Sequence, residues 1–219
     1  MSEPLPPHAL ITTGATASFR PLLLESLSPP FLTTLLTLGF RSLTLQCGPD
    51  HAFVASLLST LPCPSDLTIT SFALTPSLHS EMLRCRGHRG VQRPGVVISH
   101  GGTGTIGEAV RVGVPLVVVA NSGLMDDHQR EVVGEVEGGG WGVVGELGHL
   151  HEAVRRAMEM AEERGLGELG PYVPPPFPVP EEERVTVFDW VMLGCWPEER
   201  RRQEREGEVW CEREGGQKV

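Results

Sequence analysis

The segment Gly95–Gln129, GVVISHGGTGTIGEAVRVGVPLVVVANSGLMDDHQ, carries more architectural information than any other part of the chain. Its opening run Val96-Val97-Ile98 is apolar, β-branched and too short for a globular helix, which predicts a buried strand. The loop His100-Gly101-Gly102-Thr103-Gly104-Thr105 follows, with glycines that let a backbone approach a ligand closely. Ile106 to Val112 then reads as a helix stopped by Gly113, and Pro115 leads into a second buried strand, Leu116 to Val119. A strand, a Gly-rich turn and a helix N-terminus together form a place for phosphate. Unpaired N–H groups point outward there, and the helix dipole adds roughly half a positive charge.

Three ligand chemistries compete for this loop. Gly102-x-Gly104-x-x-Gly107 matches the dinucleotide fingerprint, but that motif belongs in a first strand-to-helix turn and needs an acid after the next strand. Here the loop lies mid-chain and the next strand runs into Ala120-Asn121. A phosphate loop of the Gly-Lys-Ser/Thr type is absent. In the third reading, a sugar nucleotide, His100 and the hydroxyls of Thr103 and Thr105 meet a diphosphate. Glu108, expected in the first helical turn, accepts from ribose hydroxyls, and His128-Gln129 hold the sugar.

The pattern His-Gly-Gly-x-Gly-Thr-x-x-Glu-Ala, then Gly-Val-Pro-Leu-Val-Val-Val, then Asp-Asp-His-Gln resembles the donor-binding half of GT-B glycosyltransferases. More narrowly it is similar to the family 28 C-terminal-domain type, and within it to the catalytic subunit of the two-subunit UDP-N-acetylglucosamine transferase of dolichol-linked N-glycan assembly. In that family the loop runs close to Ile-Ser-His-Ala-Gly-Ala-Gly-Ser/Thr, with an Asn-Asn-His-Gln segment after the second strand. Asp126 and Asp127 replace those asparagines here. The resemblance extends from about Leu10 to about Trp196 and is strongest in the central stretch.

The whole chain sets bounds on partners. Its 219 residues accommodate one sizeable core and a tail. A formal charge of -10 and a pI near 5.3 argue against a nucleic-acid partner. Cys47, Cys63, Cys85, Cys195 and Cys211 lack any C-x-x-C spacing and read as free thiols of a reducing compartment. The Pro-broken N-terminus does not resemble a signal peptide, and no run reaches the ~18 apolar residues of a membrane span. The expectation is a cytosolic chain whose membrane attachment is borrowed.

Around the central segment the chain alternates strand and helix. Strands are expected at Ala9–Thr13, Ser42–Cys47, Leu67–Leu74 and Trp141–Val144. Helices are expected over Pro21–Phe40 with a break at Ser28-Pro29-Pro30, over His51–Leu61, from Pro76 to Leu83, over Asp127–Glu137 and over Leu150–Arg164. This predicts an α/β, Rossmann-like parallel sheet with helices on both faces, spanning residues 9–164. Arg84 to Pro94 departs from the family pattern and reads as an exposed loop. Residues 165–180 are Pro-rich extended connection, 181–196 a C-terminal helix packing on the domain or a partner, and 197–219 a charged, flexible tail.

What the resemblance implies is specific. The donor substrate is UDP-N-acetylglucosamine, held by Gly14, Thr16, His100, Gly101, Gly102, Thr103, Gly104, Thr105, Glu108, His128 and Gln129. Gly14 and Thr16 are also open to a plain tight-turn reading, Thr103 and Thr105 to helix capping, and His79 to either a uridine neighbour or an ordinary exposed histidine. The resemblance implies no metal and no other cofactor. The reaction is inverting transfer of N-acetylglucosamine to dolichol-diphosphate-linked N-acetylglucosamine, and the general base is not identifiable. Because the chain holds one GT-B half, the acceptor site and membrane anchor belong to a second subunit. Its place is the cytosolic face of the endoplasmic reticulum. A Rossmann-like nucleotide-binding module without transferase activity is the alternative.

Overall fold

In the computed structural model, which describes residues 3–62, 64–121 and 134–174, strand β1 (His8–Thr12) runs through the middle of the sheet, every residue of it buried. It pairs on one side with β2 (Ser42–Gln46) and on the other with β4 (Val96–Ser99). The outer strands are β3 (Thr68–Phe72), β5 (Leu116–Val119) and β6 (Val143–Gly145). The six strands take the order β3-β2-β1-β4-β5-β6, and all neighbours are parallel. Chain direction across the sheet reverses between β1 and β4, and open sheets of this order bind ligands beyond the strand ends at that reversal.

The sheet is covered on both faces, as its near-continuous Val/Ile/Leu strands require. On one face Ala9, Ile11, Leu43, Leu45, Val96, Ile98 and Val117 pack with Leu22 and Leu23 of α1 (Arg20–Ser26) and Phe31 and Leu35 of α2 (Pro29–Thr37). Val54 of α3 (His51–Leu58) and Val154 and Ala157 of α6 (Leu150–Glu163) complete that layer. The opposite face takes α4 (His79–Cys85) and α5 (Thr103–Val112), which bury Met82, Cys85, Ile106, Ala109 and Val112. Residues 134–138 are helical and end in Gly139-Gly140.

The expected break before the paired prolines is present, since α1 ends at Ser26 and α2 begins at Pro29. Extended Ser28 is the cap residue of α2 and the prolines fill its first positions, where a missing N–H costs nothing. Two expectations need correction. The Arg84–Pro94 segment is not simply exposed. Arg86 donates from Nε to the Val112 carbonyl at 2.9 Å and from Nη1 to the Gly170 carbonyl at 2.7 Å, so it closes the C-terminal end of α5 and ties residue 170 to it. Gly87 is buried so close to the Leu166 carbonyl that no side chain would fit. Finally, Leu166–Glu168 forms a 3₁₀ turn within the expected extended connection. The expected helix at 181–196 and the tail at 197–219 lie outside the described residues. Among those described, no helix is long and apolar enough to cross a membrane.

Candidate functional site

The reversal between β1 and β4 brings the loop after Thr12 beside the loop after Ser99, which are paired residues in the sheet. Gly14 and Gly101 both take positive φ, 80° and 88°, a conformation that glycine adopts without strain. His100 lies between the two loops. Its backbone N–H donates to the Thr12 carbonyl at 3.2 Å, and its ring Nδ1 lies 3.3 Å from that same oxygen. A carbonyl only accepts, so the neutral ring carries its proton on Nδ1 and presents Nε2 as a bare acceptor. A methyl group on Gly14 would stand 2.7 Å from the ring, and one on Gly102 2.8 Å from Nε2. Two glycines therefore clasp the imidazole. Burial pushes its pKa below the ordinary value, against the opposing pull of the Thr12 carbonyl. With Nδ1–H already committed to the Thr12 carbonyl, the ring must gain a second proton before it can donate to a phosphate oxygen.

Helix α5 begins at Thr103, earlier than the expected Ile106, with extended Gly102 (φ −69°, ψ 123°) as its cap residue. Among the described residues no side chain caps this end, so Thr103 and Thr105 are not caps but half-buried residues of the first turn. The N–H groups of that turn have no side-chain acceptor among the described residues, as an anion site requires. Space beside Gly104 is open, with no atom of the described residues within 4 Å of where a Cβ would be.

The early start moves Glu108 into the second turn, where the dipole contributes less than it would in the first. Its Oε1 lies 3.2 Å from His79 Nδ1 and 3.9 Å from Arg111 Nη2. His79 in turn stacks at a tilt on Tyr172, ring centroids 5.3 Å apart, and the Arg86 guanidinium lies 5.8 Å from the same tyrosine ring. Sequence reasoning weighed His79 and Glu108 separately and passed over Tyr172. The available signal was that Tyr172 is the sole tyrosine of the chain, beside the proline run. Thr16 is exposed on the Gly14 loop. Asp126, Asp127, His128 and Gln129 lie outside the described residues.

Two further side chains hold the loops. Gln46, 3% exposed, reaches both Gly14 and Thr12 through its side-chain amide. Asp50, also buried, accepts from Ser18 Oγ at 2.8 Å, Phe19 N at 3.0 Å and Arg20 Nε at 2.8 Å, closing the Gly14 loop onto α1. Desolvation raises the Asp50 pKa, yet those three hydrogen bonds and the Arg20 charge outweigh it and the net shift is downward. Among the described residues no group of three or more His, Cys, Asp or Glu side chains is placed to hold a metal.

Comparison with known proteins bears on the same loops. The model of the glycosyltransferase family 28 C-terminal domain matches residues 91–164. The UDP-N-acetylglucosamine transferase subunit ALG13 of Yarrowia lipolytica is 38% identical over 129 residues, 58% of this chain and 59% of that protein. The subunit of the same name from Candida glabrata is 28% identical over 173 residues, covering 70% of this chain and 83% of the relative. This chain thus spans about three fifths of the length of the Yarrowia relative. An NMR solution structure of ALG13 superposes with a TM-score of 0.52 at 22% identity, over 87% of this chain and 96% of that one, which shows a shared fold. The uncapped helix, His100 and Glu108 all fall inside the stretch that the family 28 model matches, so the likeness in sequence and the candidate site coincide.

Proposed function

We propose that the chain is the donor-binding subunit of a UDP-N-acetylglucosamine transferase, moving N-acetylglucosamine onto dolichol-diphosphate-linked N-acetylglucosamine at the cytosolic face of the endoplasmic reticulum. The observation that carries the reading is the uncapped N-terminus of α5 beside clasped His100 at the sheet's reversal point. The diphosphate of the donor lies against the first-turn N–H groups of α5, near open Gly104. Glu108 releases His79 and accepts from the ribose hydroxyls. In transfer, an acceptor hydroxyl attacks the anomeric carbon and loses its proton to a base outside the residues assigned here. The bond from that carbon to the diphosphate breaks with its electron pair on the leaving oxygen. The helix N-terminus and a protonated His100 meet that charge, which gives stabilisation where it develops. A membrane-anchored second subunit supplies the acceptor-binding half, and no metal ion is assigned a role.

Glu108→Ala tests the reading. Loss of a charged hydrogen bond is worth about 1.5–3 kcal/mol, a ten- to hundredfold fall in kcat/KM for the UDP-sugar. The measurement uses the chain with membranes supplying the second subunit, with thermal unfolding alongside. Unchanged transfer removes Glu108 from the site. UDP binding without any transfer favours a nucleotide-binding module instead.

A further inference from the structure

Gln46 ends β2 and neither of its side-chain atoms faces the proposed ligand; both face the loop that touches His100. Its Oε1 accepts from Thr12 Oγ1 at 2.6 Å and from Gly14 N at 3.1 Å. Its Nε2 donates to the carbonyls of Gly14 at 2.8 Å and Ala73 at 2.9 Å. Two donors on one side and two carbonyls on the other allow a single orientation of the amide. Thr13 adds its N–H and hydroxyl to the Gln46 carbonyl at 3.1 and 3.2 Å. Gly14 is thus gripped at both its N–H and its C=O by one side chain, with Gly48 wedged against its carbonyl from behind.

Both routes from this amide end on one imidazole. Gly14 lies against the His100 ring, and Thr12, whose hydroxyl binds Gln46, offers its carbonyl to His100 Nδ1. We propose that Gln46 is a positioning residue that, through Gly14 and Thr12, fixes the ring plane and the Nδ1–H tautomer of His100 at the nucleotide site. The amide is suited to this in a way its close relatives are not. Leucine matches its size but removes the buried partner of the Gly14 carbonyl and the Thr12 hydroxyl and the nearer acceptor of the Gly14 N–H, while the Ala73 carbonyl keeps the Gly48 N–H at 3.0 Å. Glutamate keeps the acceptor side but turns oxygen against two carbonyl oxygens. In either case the Gly14 loop shifts off the ring and water reaches the imidazole.

The role of this residue in transfer rests on the proposed function, whereas its effect on the ring does not, and the experiment separates them. Histidine side-chain ¹⁵N–¹H spectra of the full chain report the His100 tautomer and titration. Wild type is expected to show the Nδ1–H form, titrating below the ordinary range. Gln46→Leu and the milder Gln46→Glu are expected to mix tautomers and move the titration upward. Thr44→Val, which loses a Thr44–Thr70 hydroxyl contact on the same strand, serves as the control and leaves His100 as in wild type. In the complete membrane system, misplacement of the ring lowers kcat/KM roughly tenfold to a hundredfold, more than Thr44→Val does. An unchanged His100 signal in either folded Gln46 variant, or a wild-type ring protonated on Nε2 instead, overturns the proposal. A normal ring response in a chain that fails to use the UDP-sugar leaves the positioning role standing and overturns the functional reading.

Discussion

His8 and His100 occupy opposite ends of the central strand pair, one buried and one half-buried, and both are held below the ordinary histidine pKa. His8 opens β1 at 3% exposure, and burial, with a smaller contribution from the Arg84 charge, lowers it to about 4. Its Nδ1 meets Ser42 Oγ at 2.6 Å and its buried Nε2 has no hydrogen-bond partner among the described residues. Around it the strands close without space: a methyl group on Gly95 would sit 2.0 Å from the His8 carbonyl oxygen. His100 follows β4 at the other end, where the backbones diverge, glycines line the ring and a helix presents uncapped N–H groups. A depressed histidine pKa therefore does not mark a site by itself. The end of a parallel sheet where strands separate into loops does, because only there can a ligand reach the ring.

The largest effect should come from filling the closed end. Gly95→Ala drives its Cβ into the β1 backbone, which no rotamer change relieves, so β1 and β4 must part. A loss of roughly 3 kcal/mol or more is expected in urea unfolding. Gly102→Ala is the matching change at the open end. Its Cβ meets a side-chain ring rather than backbone, its φ is ordinary, and a loss of about 1 kcal/mol is expected. Equal losses at the two positions would break the contrast between a closed and an open end.

Acid should expose the His8 end next. A histidine whose folded pKa lies below its unfolded value is protonated first in the unfolded chain. Stability is therefore full above about 6.5 and falls as pH drops toward 4. The shift is worth on the order of 3 kcal/mol when complete, so about half of it is lost near pH 5.3. His100 adds a contribution of the same sign. Urea midpoints from pH 7 to pH 4 check this, with His8→Leu expected to flatten most of the slope. If His8→Leu keeps the wild-type slope, the acid sensitivity belongs elsewhere.

The contrast also explains what could be read before folding. Short apolar runs between Gly, Pro and polar clusters placed all six strands, because strands buried on both faces leave that mark. The Gly-rich turn after β4 was equally plain. The start of α5 was not, because Thr and Gly are weak helix formers and hid the turn before Ile106. That missing turn misplaced Glu108. The joining of His79, Glu108 and Tyr172 depends on α4, α5 and residues beyond α6 converging, and no local pattern encodes it. The arginines of 84–93 looked like surface charge, yet Arg86 works chiefly as a donor to carbonyls at the end of α5 and at Gly170.

The finest change, and the sharpest test of the open end, is a single proton. His100 is neutral near pH 7 because burial disfavours its charge, and its only uncommitted nitrogen, Nε2, bears a lone pair. A diphosphate lodged at the start of α5 would face that lone pair unless the ring gains a proton, and the anion's charge favours that gain. Donor binding should then take up a fraction of one proton, and affinity should rise by up to about tenfold per unit as pH falls from 8 toward 6. Calorimetric titration with UDP in two buffers of different ionisation enthalpy, on the chain with the proposed membrane-anchored subunit, reads the uptake directly. His100→Gln supplies an amide donor without titrating, so it should abolish both the uptake and the pH dependence while shifting the unfolding midpoint little. Tight UDP binding by wild type with no proton taken up would mean that His100 does not face the diphosphate, and that the glycine clasp merely closes the sheet end as Gly95 closes the other.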